Sequence, residues 1–85
     1  MATTSEISKV LSQEKYLGIS IEKNLYGKNI FSDLGLSSLD YIGFILELEE
    51  VFSISILDSA DFDFSKFLTI QDINKQINTM VTNEI

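Results

Sequence analysis

The chain has 85 residues, contains no cysteine, histidine or proline, and carries a formal net charge of −7. Without histidine and cysteine, zinc sites, thiolate chemistry and a histidine general base are excluded, so neither a metal site nor a catalytic residue is expected. The apolar fraction of 45% argues against a disordered chain. The length predicts one domain over residues 1–85, which we expect to be monomeric.

The amino-terminal residues 1–6 are polar and contain no basic region followed by an apolar run, so no signal peptide is predicted. No stretch approaches the roughly 18 apolar residues that span a bilayer. Together with the absence of cysteine, this predicts a cytoplasmic protein that does not insert into membranes.

The negative charge is concentrated in the middle of the chain. Residues 33–63 contain eight acidic residues and no lysine or arginine. This segment would repel nucleic-acid phosphates and favours a partner with a basic surface. The alternative is an acidic face that serves only solubility. The eight residues are Asp33, Asp40, Glu47, Glu49, Glu50, Asp58, Asp61 and Asp63.

Residues 3–17 are predicted to form a first amphipathic helix. Thr3 followed three residues later by Glu6 is a capping-box pattern, and apolar residues from Ile7 onward recur at helical spacing. Gly18 is expected to end this helix, because glycine adopts the left-handed conformation without a side-chain penalty.

Residues 19–37 have no single hydrophobic period and are interrupted by turn residues. A loop of this length is uncommon in a compact domain and usually serves function when it is ordered. We expect its apolar residues to anchor it across the helices. These residues are Ile19, Ile21, Leu25, Ile30, Phe31, Leu34 and Leu36.

A second helix is predicted from Ser38 to about Phe52. Serine is a favoured N-cap, and Asp40 in the first turn suits the positive end of the helix dipole. A phosphodiester on Ser38 would lie in the same favourable field, because the first amides of a helix lack partners. The alternative is that Ser38 serves only as a cap.

The remainder of the chain predicts a short helical segment over about residues 58–64 and a last helix that Thr69 and Asp72 open. Asp61, Asp63 and Ser65 lack the glycine and glutamate of a calcium loop, so no calcium site is expected. The last helix has one apolar stripe, made of Ile70, Ile73, Ile77, Met80 and Val81.

The second helix has two apolar faces, which a small domain cannot easily bury together. One, wide enough for a core, contains Tyr41, Phe44, Ile45, Leu48 and Phe52. The other contains Leu39, Ile42 and Leu46 and lies roughly 145° away around the helix. Glu49 and Glu50 flank it and are expected to face water, which is typical of a docking surface for partner proteins. Alternatively, the long loop covers this second face.

The sequence Asp-Leu-Gly-Leu-Ser-Ser-Leu-Asp at residues 33–40 resembles the signature of acyl and peptidyl carrier proteins, a D-x-G-x-D-S-L pattern that presents a modified serine. Residues 41–52 are similar to the recognition helix of that family, including its Leu-Glu-Glu-x-Phe ending. Residues 17–19 and 68–73 are similar to its first helix end and its last helix start, so the resemblance covers nearly the whole chain.

The resemblance implies an all-α four-helix bundle of the acyl carrier type, with three main helices, a short third helix and a long first loop. It implies that a phosphopantetheinyl transferase attaches 4′-phosphopantetheine from coenzyme A to Ser38, and that the arm holds cargo as a thioester. Acyl- or aminoacyl-loading and processing enzymes with basic docking surfaces would be the other partners. The implied partner contacts are Leu39, Asp40, Ile42, Leu46, Glu49 and Glu50.

Three positions differ from the family pattern: Ser37 replaces the usual Asp, and Gly43 and Val51 stand at frequently acidic places. Residues 57–68 are more similar to D-alanyl and some peptidyl carriers, and their phenylalanines are expected in the core.

We therefore expect a free-standing carrier in a polyketide, nonribosomal peptide or aminoacyl-transfer pathway. The alternatives are a fatty-acid carrier and an unmodified interaction module. An enzyme is not expected, since Glu49 and Glu50 point in different directions.

Overall fold

The computed structural model describes residues 3–60 and 62–83, so Asp61 of the acidic segment and the first two residues lie outside it. No described helix is both long and apolar enough to cross a membrane. Helix α1 packs against both other helices, and the predicted all-α class is confirmed. The described elements are α1 (Thr4–Leu11), α2 (Ser38–Phe52), α3 (Ile70–Asn83) and two 3-10 turns (Lys23–Leu25 and Phe64–Lys66), with no strand among them.

The first helix is shorter than predicted. Its capping residue is Thr3, as expected, and the Glu6 amide donates to Thr3 Oγ1 at 3.2 Å. However, α1 ends at Leu11 and successive turns follow. Ser12 Oγ donates to the Lys9 carbonyl (2.9 Å), and such bonds compete with helix continuation. Gly18 adopts the left-handed conformation (φ 67°) and ends the turns, not the helix.

The long loop is ordered by both backbone and side-chain contacts. The Ile30 amide donates to the Leu68 carbonyl (2.8 Å), and the Gln71 amide donates to the Tyr26 carbonyl (3.0 Å), so the loop is tied to the start of α3. Ile21, Ile30 and Leu36 are buried, and Leu25, Phe31 and Leu34 are partly buried against the core. The exception is Ile19, which is exposed and does not anchor the loop.

The predicted core face of α2 is confirmed. Tyr41, Phe44, Ile45 and Leu48 are buried and Phe52 is half-buried. They belong to the same hydrophobic core as the α3 stripe, of which Ile70, Ile73 and Ile77 are fully buried and Met80 and Val81 partly so.

A buried hydrogen bond joins α2 to the chain before α3. The Tyr41 hydroxyl donates to the Phe67 carbonyl at 2.9 Å, and both residues are almost completely buried. Burial raises the pKa of Tyr41, so its hydroxyl remains a donor. The bond satisfies a carbonyl in the core and fixes the position of the Tyr41 ring.

The short third helix is a single 3-10 turn, Phe64–Lys66, and lies later than the predicted 58–64 segment. Asp63 begins the turn, because its Oδ1 accepts from the Ser65 amide (3.0 Å) and the Ser65 hydroxyl (2.7 Å). Helix α3 begins where predicted, with the Asp72 amide donating to Thr69 Oγ1 at 3.0 Å.

Gly43 lies in α2 beneath the side chain of Tyr16. A Cβ at this position would lie 3.6 Å from Tyr16 Cε1 and 3.7 Å from its hydroxyl oxygen, which is ordinary van der Waals contact. A methyl group therefore fits, whereas a longer side chain would have to displace the Tyr16 ring. Gly35 differs, since its surroundings are open but its φ is 82°.

We predict that Gly43→Ala raises the free energy of unfolding by up to about 1 kcal/mol, the helix-propensity difference between the two residues. Gly35→Ala is the control and should lower it by about 1 kcal/mol or more, because a side chain disfavours the left-handed conformation. Urea denaturation measures both. Destabilisation by Gly43→Ala would contradict the space seen under Tyr16.

Candidate modification site and docking surface

The start of α2 separates the roles of two adjacent serines. Ser37 has extended backbone (φ −74°, ψ 156°), and its Oγ accepts from the Asp40 amide at 3.2 Å. Ser37 is therefore the N-cap, and the prediction that Ser38 caps the helix is wrong by one residue. Capping requires the extended conformation, whereas Ser38 is already the first helical residue.

The Ser38 side chain is exposed, and its hydroxyl forms no hydrogen bond within the described part of the chain. It stands in the first turn of a 15-residue helix, whose leading amides favour negative charge. A phosphodiester linked to this oxygen fits the position, because it would extend into solvent without displacing a protein contact.

The second apolar face of α2 is open to solvent. Leu39 is 81% exposed, Leu46 50% and Ile42 45%, so the long loop does not cover them. We call these three residues the apolar strip. Large exposed aliphatic side chains along one helix face are typical of a surface that partners cover.

Glu47 holds the segment after α1 against α2. Its carboxylate accepts from Gln13 Nε2 (2.7 Å) and the Tyr16 hydroxyl (2.9 Å), and Lys15 Nζ lies 2.7 Å from Oε1. These four residues form the Glu47 cluster. The bonds from Lys15 and Gln13 lower the pKa of Glu47, while burial and the bond to Glu47 raise the pKa of Tyr16 to about 12.

The sequence predicted that Glu49 faces water, but in the structure its carboxylate is bound to the backbone. Its Oε2 accepts from the Ile56 amide (2.8 Å) and the Leu57 amide (2.9 Å), and it thereby orders the chain that leaves α2. Asp40 and Glu50 are the other two acidic residues predicted to contact partners, and neither forms an ion pair within residues 3–60 and 62–83. The acidic rim of the apolar strip is therefore smaller than the sequence indicated.

An apolar cavity of about 390 Å³ opens beside Ser38. Aromatic rings form much of its wall, and Leu39, Ile42 and Leu57 complete it. Phe67 is buried in the core as expected, but Phe64 is 49% exposed at the cavity. The rings belong to Phe31, Tyr41, Phe62 and Phe64.

Sequence reasoning missed the Glu47 cluster and this cavity. The only available signals were the phenylalanine-rich segment 57–68 and the glycine one turn before Glu47. Neither identifies a contact, because the Glu47 bonds to Tyr16 and Gln13 join residues 31 and 34 positions apart in sequence.

The chain is similar over nearly its whole length to known proteins. It is 32% identical to an acyl carrier protein of Campylobacter jejuni subsp. doylei over 80 residues, which cover 94% of this chain and 97% of the relative. It is 31% identical to an acyl carrier protein of Cyanidium caldarium over 86 residues, covering 99% and 96%. It is 33% identical to one of Phytoplasma mali over 67 residues, covering 76% of each. No protein-family model matches the chain.

The Glu47 cluster predicts a pH-dependent stability. A carboxylate whose pKa is lower in the folded than in the unfolded chain stabilises the fold above the unfolded value and loses that effect as the pH falls. Glu47→Gln should therefore lower the free energy of unfolding at pH 7, and the difference from the parent should shrink below the ordinary value of 4.5. Urea denaturation at pH 7 and pH 3.5 measures it.

Glu50→Gln is the matched control, since Glu50 is exposed on the same helix and has no ion pair with a described residue. An equal loss of stability in both variants at pH 7 would contradict a stabilising role for the Glu47 cluster.

Proposed function

Because the chain belongs to the acyl carrier protein family, we propose that it is a free-standing carrier whose cargo is held on a phosphopantetheine arm at Ser38. Acyl carrier proteins are carriers rather than enzymes, and they bear a covalently attached 4′-phosphopantetheine group. The terminal thiol of that group holds an acyl chain as a thioester, which suits a protein without cysteine.

The observation that carries the proposal is the division of roles between Ser37 and Ser38. Ser37 satisfies the helix amide, so the Ser38 hydroxyl is available and exposed at the positive end of α2. The attachment forms a bond from Ser38 Oγ to the β-phosphorus of coenzyme A. The pyrophosphate bond to that phosphorus breaks, adenosine 3′,5′-bisphosphate leaves, and the hydroxyl proton passes to solvent.

We assign the carrier to a specialised pathway, either polyketide, nonribosomal peptide or aminoacyl transfer. Ser37, Gly43 and Val51 replace residues that are frequently acidic in fatty-acid carriers, and Glu47 is neutralised by Lys15. The α2 surface is thus less acidic than the surface that fatty-acid enzymes would meet. A fatty-acid carrier is the second candidate, because the relatives bear the general name of acyl carrier protein.

The partners we propose are a phosphopantetheinyl transferase and enzymes that load and process the cargo. Their docking surfaces would cover the apolar strip and place basic groups opposite Asp40 and Glu50. Glu49 contributes chiefly to the fold, because its carboxylate binds two backbone amides. We further propose that residues 1–85 act as one monomeric carrier domain; the cytoplasmic location remains a prediction.

Incubation with coenzyme A, magnesium and a broad-specificity transferase should add one phosphopantetheine group to the protein, as intact mass spectrometry measures. Ser38→Ala should prevent the addition, and Ser37→Ala should permit it while lowering stability by about 1 kcal/mol through loss of the cap. Ser37→Asp should also be modified, because aspartate caps equally well.

Absence of the adduct on the parent and on Ser37→Asp would favour the unmodified interaction module. An adduct that persists on Ser38→Ala would overturn only the assignment of the site. Peptide mapping of the modified protein distinguishes Ser38 from Ser37.

If partners dock on the apolar strip, attachment of the phosphopantetheine arm by the transferase should depend on the residues of the strip. Leu46→Ser should lower kcat/KM for the transferase by about fivefold or more, the size expected for a central interface side chain. Ile19→Ser is the matched control, since Ile19 is 53% exposed in the long loop outside α2, and its substitution should change kcat/KM little. Equal effects of the two variants would argue against docking on the strip.

A further inference from the structure

We propose that the cavity beside Ser38 receives the acyl end of the arm and selects an uncharged aromatic acyl group over a straight alkyl chain. This inference rests on the proposed function, because the arm must be attached at the rim of the cavity. Ser38, Leu39 and Ile42 all line the cavity and belong to the first turns of α2, so the attachment point and the binding space are contiguous.

Three of the four aromatic rings in the cavity wall already contact one another. Phe31 lies 4.8 Å from Tyr41 and 5.5 Å from Phe64, and Tyr41 lies 5.5 Å from Phe64, measured between ring centroids. Tyr41 and Phe64 meet edge-on, an arrangement that aromatic pairs prefer, and the other two pairs are tilted. A further ring can join this cluster in the same geometry, whereas an alkyl chain gains only apolar contact.

The cavity is closed on the side of the core. Tyr41 and Phe67 are 2% and 1% exposed, and the hydrogen bond between them fixes the Tyr41 ring. An occupant that extended past Tyr41 toward Phe67 would displace that ring and break the buried bond. With a volume of about 390 Å³, the space lies toward the lower end of the roughly 300–1,000 Å³ typical of ligand sites.

Rigidity and charge favour the same class of cargo. An aryl group has few rotatable bonds to immobilise, whereas a long alkyl chain loses conformational freedom along its length. No charged side chain among residues 3–60 and 62–83 lines the cavity, so a protonated amino group would find no charged partner among them. Phe64 is half-exposed, and an occupant would cover its ring and remove apolar surface from water.

The first test needs no covalent arm. S-benzoyl-N-acetylcysteamine and S-heptanoyl-N-acetylcysteamine have seven-carbon acyl groups and are titrated separately into the Ser38→Ala protein. Two-dimensional NMR measures the affinities and identifies the affected residues. The benzoyl compound should bind roughly 2- to 10-fold more tightly, as expected from the energy of an added aromatic pair. Its shifts should centre on Phe31, Phe62 and Phe64.

Phe64→Ala should abolish the preference for benzoyl, and Val51→Ala is the equally exposed control that should retain it. Circular dichroism and thermal unfolding verify that both variants fold. Equal or tighter binding of the heptanoyl compound, shifts outside the cavity, or no shift with either compound would overturn the inference.

The second test uses the modified protein loaded with each acyl group. Hydrolysis of the benzoyl thioester, relative to the same thioester on free pantetheine, should be slower than for heptanoyl and should accelerate in Phe64→Ala. Failure of Ser38 to accept the arm would refute the proposed function, but the first test would still measure the preference of the cavity, because it uses free thioesters. Successful loading with equal relative hydrolysis would refute only the aromatic preference.

Discussion

The hydrogen bond from the Asp40 amide to Ser37 Oγ determines where α2 begins, and the site depends on that register. One residue later, Ser38 is inside the helix with an unbound hydroxyl. This start of the helix places Leu39 on the exposed face and Tyr41 on the buried face. A chain of this size cannot easily bury both faces of a 15-residue helix, and here one face lies in the core while the other is exposed.

The sequence predicted those elements that repeating patterns determine and missed those that distant contacts determine. The core face of α2 and the start of α3 were correct, because long apolar stripes and caps are local signals. The position of the segment after α1 was not predictable, since Tyr16 binds Glu47, which lies 31 positions away in the sequence. The choice between Ser37 and Ser38 as cap was equally hidden, because both are serines and only backbone conformation distinguishes them.

The aromatic cavity is a second feature that depends on contacts between distant parts of the sequence. Its rings come from the long loop, from α2 and from the second 3-10 turn with the residues just before it, and no spacing rule joins these segments. Phe31 and Phe64 both contact Tyr41, whose hydroxyl anchors it to the Phe67 carbonyl, and Phe62 contacts the Phe67 ring. A single buried hydrogen bond thus fixes the ring that lies between the core and the cavity beside Ser38.

The ion pair between Lys15 and Glu47 also affects how this protein would share a cell with other carriers. Enzymes that locate carriers through long-range attraction respond to the uncompensated charge of the docking helix. Here one carboxylate is balanced by Lys15 and that of Glu49 is held by backbone amides. We therefore expect this carrier to compete weakly for enzymes adapted to strongly acidic carriers, so that internal charge compensation insulates its pathway from cross-talk.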